Sequence, residues 1–145
     1  MGIVDDLLAH PGLYVGVDRV VERGLEGVAR MVVTPLPGRS GVALDYEVLN
    51  TVAPGSPRGH AEHTVVAPAH GGGVVMVVAD VHAAGVSFLY EGEPGVFEPG
   101  PAGTPFPMKV VLSVPEPGVI HHHWWYGSPG DEAIARDLAE LRLID

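Results

Sequence analysis

Three consecutive histidines stand beside three aromatic residues in the stretch VIHHHWWYG, residues 119–127. An imidazole titrates near neutrality, so it can act as a general acid or base, as a metal ligand or as a hydrogen-bonding group. Aromatic side chains are typical of pockets for small organic molecules. The stretch therefore indicates an acid–base site, a metal or cofactor site, or one wall of a binding cavity.

The orientation of these side chains decides between the three kinds of site. Side chains alternate across a strand, and the more apolar face is expected to point inward. In VIHHHWWY this rule narrowly favours the face with Ile120, His122, Trp124 and Tyr126. His121 and His123 are then expected on the outer face.

The same rule predicts a cavity lined by side chains from several strands. In the segment after Gly59 it places Ala61, His63, Val65 and Ala67 inside, and in the segment after Gly73 it places Val75, Val77, Ala79 and Val81 inside. Asp80 and His82 are expected outside or at the rim. The predicted ligand-binding residues are Tyr46, His63, Phe88, Tyr90, Met108, His122, Trp124 and Tyr126. If the protein is an enzyme, His63 and His122 are its candidate catalytic residues.

Other chemistries remain alternatives to this cavity. Haem could take His63 or His122 as an axial ligand. A divalent metal could use His121 and His123, with His60 and Glu62 as further donors, although two solvated histidines give the same pattern. The expectation is that the protein needs no cofactor.

Sequence motifs do not name a reaction. The chain has no H-E-x-x-H, G-x-S-x-G or P-loop. Residues 60–62 match the H-x-E of zinc deaminases, but the cysteines of that motif are absent. An isomerase, cyclase or hydratase that uses a cavity histidine as general acid or base needs no motif and stays open.

Composition limits the partners and the compartment. The 145 residues include 18 acidic and 8 basic side chains, a formal charge of -10, and no Lys/Arg stripe, which argues against nucleic acid. No cysteine is present, so a cytoplasmic protein is expected. The N-terminus lacks the basic region of a signal peptide, and no apolar run reaches the roughly 20 residues of a spanning helix. A homodimer is compatible with the sequence.

These side chains must be positioned by short Val-rich segments, which Gly- and Pro-rich turns separate, for example at 22–24 and 53–59. Eight strands are predicted: Leu13–Val21, Leu25–Thr34, Val42–Asn50, His60–Ala67, Val74–Ala83, Val86–Glu91, Pro107–Val114 and Val119–Tyr126. Residues 92–107 are predicted to form a long loop that could act as a lid. A short helix is expected over Ile3–Leu8. An amphipathic helix is expected after the Ser128-Pro129 start signal, with Ile134, Leu138 and Leu141 as its apolar stripe.

Eight meandering strands are expected to close, because an open sheet would expose long edges. The prediction is a single all-β domain over residues 1–145, an eight-stranded antiparallel up-and-down barrel with a short N-terminal helix and a C-terminal amphipathic helix. This order of elements, with Gly12-Leu13-Tyr14 opening the first strand, resembles the calycin group of lipocalins, fatty-acid-binding proteins and nitrobindin-like haem barrels. Lipocalins carry Gly-x-Trp at this point, where this chain has Tyr14 in place of the Trp.

The sequence thus predicts an intracellular barrel that binds a small, largely apolar or aromatic molecule. The alternatives are a cofactor-free barrel enzyme, a haem- or metal-binding barrel, and an interaction module that presents Trp125 to a protein partner.

Overall fold

Ten antiparallel strands form a closed barrel in the computed structural model, which describes residues 2–21, 24–50 and 58–144. A helix, α1 (Ile3–Ala9), precedes the strands. The strands are β1 (Gly12–Val20), β2 (Leu25–Pro35), β3 (Val42–Asn50), β4 (Arg58–Pro68), β5 (Val74–Asp80), β6 (Ser87–Glu91), β7 (Val96–Pro99), β8 (Met108–Glu116), β9 (Val119–Tyr126) and β10 (Ile134–Leu143). Each strand pairs with the next along the chain, and β10 pairs with β1. The predicted all-β antiparallel barrel is confirmed, but the predicted number of strands is wrong. Two predicted turns fall on residues 22, 23 and 51–57 and lie outside the described residues.

The last element is a strand where a helix was expected. Asp131 N–H donates to the Ser128 carbonyl oxygen at 2.9 Å, and Gly130 has a φ of 91°. Pro at the second and Gly at the third position of a turn are typical of type II, so residues 128–131 reverse the chain instead of starting a helix. The strand that follows pairs with β9 on one side and with β1 on the other, which leaves the barrel without an open edge.

The predicted loop over residues 92–107 contains a short strand. β7 pairs with β6 through Leu89, Tyr90 and Glu91 and with β8 through Val110 and Val111. The Phe97 side chain is completely buried, and this burial explains how so Pro- and Gly-rich a segment keeps ladder pairing.

Gly16 allows β1 and β10 to approach each other where the barrel closes. A Cβ atom at this position would lie 1.8 Å from the Glu140 carbonyl oxygen. Any side chain there would therefore push the two strands apart, and only glycine fits.

The barrel interior has two halves. At the end where α1 packs, apolar side chains fill the interior, including Tyr14, Leu44, Ile120 and Leu141 together with Leu7 of the helix. Tyr14 donates from its hydroxyl group to the His10 carbonyl oxygen at 2.6 Å, which ties the end of α1 to β1. The opposite end, formed by the end of β1 and the start of β2, contains the cavity described below.

The inward faces were predicted correctly for β3, β8 and β9. They were wrong for β4, β5 and β6. The interior side chains are Glu62, Thr64 and Val66 in β4, Met76 and Val78 in β5, and Ser87 and Leu89 in β6. In β5 both faces are apolar, so the rule had little to distinguish. In β6 the aromatic residues lie outside because Phe88 pairs with Val77 and Tyr90 with Val75 on the outer face.

Candidate functional site

A cavity of about 630 Å³ lies at the end of the barrel away from α1. Val20, Gly27, Val48 and Gly59, all near strand ends, form part of its wall. Four aromatic residues line it: Tyr46, Phe106, Trp124 and Tyr126. Its titratable lining residues are Asp18, Glu26, His60, Asp80, His82, Arg136 and Asp137. The cavity thus combines aromatic walls with an unusual number of acidic groups.

Glu62 is buried behind this wall and fixes two of its side chains. On the inner face of β4, His60, Glu62 and Thr64 follow one another because side chains alternate. Glu62 Oε1 lies 3.0 Å from His60 Nε2 and accepts from Trp124 Nε1 at 2.7 Å. Glu62 Oε2 accepts from the Thr64 hydroxyl group at 2.6 Å. Every one of these bonds favours the carboxylate, so Glu62 holds the His60 and Trp124 rings in place.

The pKa values of this group follow from the same contacts. Burial by itself raises the pKa of Glu62, but the hydrogen bonds from His60 and Thr64 and the nearby imidazoles outweigh burial and lower it to about 2. Burial also lowers the pKa of His60, but the hydrogen bond and charge of Glu62 reverse this effect and raise it. At neutral pH, Glu62 is therefore a carboxylate, and its contact makes the His60 cation more favourable than burial alone would allow.

His122 is a buried neutral imidazole. Its side chain is only 2% exposed, its ring packs edge-on against Tyr46 at 4.5 Å between centroids, and its Nε2 lies 3.9 Å from Glu62 Oε1. Burial lowers the pKa of His122 to about 4, although the charge of Glu62 opposes this. Its Nδ1 atom has no hydrogen-bond partner, and His122 packs behind the cavity wall without lining it.

Asp18 and Asp137 form an acidic pair in the cavity wall. Asp18 comes from β1 and is 2% exposed, and Asp137 comes from the adjacent β10. Burial, followed by the charge of Asp137 and a hydrogen bond with it, raises the pKa of Asp18 to about 7, against the opposing effects of His60 and Tyr46. The Asp18 Oδ1 atom is buried and has no hydrogen-bond partner in the part of the chain that the structure describes. Asp18 therefore keeps its proton up to about neutral pH.

Two tyrosines lie against the acidic pair, and one of them donates a hydrogen bond to it. Tyr126 donates to Asp137 Oδ2 at 2.9 Å. Burial, and then the charge of Asp137, raise the pKa of Tyr126 to about 12. Burial and the charge of Asp18 raise the pKa of Tyr46 well above its ordinary value of 10.0. Both phenols therefore stay protonated throughout the neutral range.

At the rim, His82 stacks on His60 with 5.3 Å between the ring centroids, and Asp80 Oδ1 accepts from the His82 backbone N–H at 2.7 Å. Arg136 donates from Nε to the Tyr126 carbonyl oxygen at 2.9 Å, and its guanidinium group lies 5.5 Å from the Tyr126 ring. Asp80 and His82 were expected outside or at the rim, and the rim is where they lie.

The predicted site residues fall into three groups. Tyr46, Trp124 and Tyr126 line the cavity. Met108 and His122 point inward but are buried in the core without lining it. The inward orientation predicted for His63, Phe88 and Tyr90 is wrong. His63 is 57% exposed on the outer face, where its Nδ1 pairs with Asp45 at 2.5 Å. Whether the inward residues bind a ligand stays a prediction.

The most polar part of the site was missed. His60 was expected outside, and neither Asp18 nor Asp137 was considered. A usable signal existed, because His60 and Glu62 share a face in the H-x-E stretch and Asp18 shares one with Tyr14 and Gly16. The rule assigns the more apolar face of each strand to the interior, so it places polar residues such as these outside.

The metal and haem alternatives find little support in the geometry. Among the described residues no group of three or more His, Cys, Asp or Glu side chains is arranged to hold a metal ion. His121 and His123 stack on the outer face with 5.8 Å between ring centroids. Of the two imidazoles considered for haem, His63 lies outside the barrel and His122 does not line the cavity, so their positions do not fit an axial ligand.

Trp125, the basis of the interaction alternative, lies on the outer face and is partly buried. Lys109 Nζ sits 4.0 Å from its ring centroid.

No helix in the described residues is long and apolar enough to cross a membrane.

The fold and the cavity define a closed antiparallel β-barrel protein whose layout is compatible with that of the calycins. The chain is similar to the crystal structure of Rv2717c from M. tuberculosis, with a TM-score of 0.68 and 12% sequence identity over 97% of this chain and 98% of that one. At this identity the likeness concerns the fold alone. No protein-family model and no curated protein matches the chain.

Proposed function

We propose that the barrel binds one small organic molecule in the cavity of about 630 Å³. The apolar body of the ligand packs against Trp124, Tyr126 and Phe106, and its polar end meets Asp18, Tyr46 and His60. The observation that carries this proposal is the buried Asp18 Oδ1 atom in the cavity wall, which has no hydrogen-bond partner among the described residues. A buried acceptor that lacks a partner costs roughly 1–3 kcal/mol, and a bound donor recovers that cost.

The proposal differs in one respect from the largely apolar ligand expected from the sequence. A wholly apolar molecule would leave the acidic pair, His60 and Tyr46 without water and without new partners, which is unfavourable. The ligand therefore needs a polar end as well as an apolar body. Pockets of this kind commonly use a few placed polar groups to fix orientation.

Binding can be tested with a neutral, polarity-sensitive naphthalene dye and a pair of matched variants on β1. Val20 lines the cavity, whereas Val17 is 43% exposed on the outer face of the same strand. Val20→Trp should fill the cavity and abolish the rise in dye fluorescence, and Val17→Trp should leave it unchanged. A native mass spectrum of the purified protein would reveal a retained ligand. Equal dye binding by both variants would refute the proposal.

A second candidate function is acid–base catalysis on the bound molecule. It is favoured by one observation, the pKa of Asp18 at about 7, which lets this carboxyl group both donate and accept a proton at neutral pH. Asp18 and the cavity-lining His60 would then take the roles expected of His63 and His122. Catalysis predicts that Asp18→Asn loses turnover by about 10²- to 10⁴-fold, far more than it loses affinity. A substrate is needed for that experiment, so ligand identification comes first.

A further inference from the structure

The cavity carries an excess of acidic groups. Among the described residues four carboxyl groups line it, from Asp18, Glu26, Asp80 and Asp137, against one guanidinium group and two imidazoles. Glu26 is paired with Arg19 at 3.6 Å, so the excess rests on Asp18, Asp80 and Asp137. The charge on one of the imidazoles, that of His60, is already matched by Glu62 at 3.0 Å. A bound anion would therefore meet net repulsion, whereas a cation would meet net attraction.

The geometry of the acidic pair also favours a ligand with several donors. Asp18 Oδ1 is buried and lacks a hydrogen-bond partner, and Asp137 sits beside it with Oδ2 occupied by the Tyr126 hydroxyl group. An ammonium group offers up to three N–H donors to these two carboxyl groups. A neutral alcohol offers one donor and no positive charge to set against the carboxyl groups.

The aromatic wall adds a second attraction for a cation. Tyr46, Trp124 and Tyr126 line the same cavity as the acidic pair. The face of an aromatic ring attracts an organic cation by about 0.5–2 kcal/mol, depending on desolvation. Arg136 uses part of the Tyr126 ring in this way, with 5.5 Å between its guanidinium carbon and the ring centroid.

From these observations we infer that the ligand is an organic amine, whose ammonium group binds between Asp18 and Asp137 and whose apolar body lies against the aromatic wall. This inference rests on the proposed binding function and specifies its ligand class. Failure of the amine inference can be distinguished from failure of the binding function, because a neutral molecule of the same shape tests binding without testing charge.

Amine binding at this position must be linked to a proton. Without ligand, Asp18 retains a proton up to about pH 7, and an ammonium group displaces it. The titratable and charged groups that face the pair from the surrounding strands, or that lie at the rim, are Glu26, Tyr46, His60, Asp80, His82, Tyr126 and Arg136. Amine affinity should therefore fall as the pH drops below about 7, by at most about tenfold per pH unit, because protons compete with the ligand.

The test compares three naphthalene compounds of similar size: naphthylmethylamine, naphthalenemethanol and naphthoate. Isothermal titration of the full chain at neutral pH should show the amine binding at least about tenfold more tightly than the alcohol, which corresponds to about 1.4 kcal/mol. Naphthoate should bind more weakly than either. Titrations in buffers of different ionisation enthalpy should show proton release on amine binding only.

Asp18→Asn supplies the decisive variant, with Asp45→Asn on the outer face as its control. The amine-to-alcohol affinity ratio should fall at least fivefold in Asp18→Asn and should stay constant in Asp45→Asn. Equal affinities of amine and alcohol in the unmodified protein would overturn the amine inference and leave the binding function standing. If neither compound binds and the neutral dye does not bind either, the binding function itself fails.

Discussion

The substitution Asp18→Asn should make the protein less sensitive to alkaline pH. In the folded chain the pKa of Asp18 is about 7, against an ordinary value of 3.8, because burial and the neighbouring Asp137 disfavour its charge. One pKa unit corresponds to about 1.4 kcal/mol. The whole shift therefore represents about 4 kcal/mol at most, and coupling to Asp137 spreads it over the pair.

The sign follows from proton binding. Between about pH 4 and about pH 7 the folded chain keeps a proton that the unfolded chain has released, so the contribution of Asp18 to stability falls as the pH rises. Asparagine cannot ionise, and the variant lacks this loss. From about pH 5 to about pH 8, the stability of Asp18→Asn relative to the unmodified protein should increase by about 2–3 kcal/mol.

Urea denaturation at both pH values, followed by far-ultraviolet circular dichroism, measures this difference. The change with pH matters more than the absolute offset, because any packing cost of the amide is the same at both values. Asp131→Asn, at an exposed aspartate outside the cavity wall, should run parallel to the unmodified protein. A difference for Asp18→Asn that stays constant across the range would show that the buried carboxyl group of Asp18 carries no raised pKa.

Three further predictions concern stability. In urea titrations, Glu62→Gln should lower the free energy of unfolding by about 2–3 kcal/mol, because a buried charge-assisted hydrogen-bond network loses its central carboxylate. The control Glu98→Gln, at an exposed position, should change it by less than about 0.5 kcal/mol. In thermal melts, Gly16→Ala should lower the free energy of unfolding by at least about 2 kcal/mol, because its methyl group would overlap a carbonyl oxygen of β10. The control Gly71→Ala, with open space around it, should be nearly neutral. His122→Phe should gain about 2–3 kcal/mol relative to the unmodified protein as the pH falls from about 6.5 to about 4.5. The reason is that the pKa of His122 is about 4 when folded and 6.5 when unfolded, so the unmodified protein loses stability on acidification.

The positions of most strands, and the closure of the barrel, could be read from the sequence because turn residues mark the ends of those strands. The Pro- and Gly-rich connections fix where Val42–Asn50 and Val119–Tyr126 begin and end, and the structure has the same bounds. Residues 134–143 could not be assigned in this way. Their apolar spacing fits a helix, and it is the pairing with two neighbouring strands, a long-range effect, that makes them extended.

The site was harder to predict than the fold because polarity changes along each strand. On the inner face of β4 the side chains run from Val66 through Thr64 and Glu62 to His60. The apolar end of the strand packs in the core near α1, and the polar end reaches the cavity. A score averaged over the whole strand mixes the two ends, and for β4 it selected the wrong face.

Neighbouring strands repeat this gradient and thereby locate the cavity. The inner face of β1 runs from Tyr14 to Asp18, and that of β10 runs from Leu141 to Asp137. Because the two strands are antiparallel and paired, their acidic ends meet at the same end of the barrel as His60 of β4. Buried ionisable residues are costly unless they are paired or hydrogen-bonded, and Asp18 Oδ1 has no such partner among the described residues. Their convergence, more than the row of histidines in β9, is the strongest argument for a binding site in this protein.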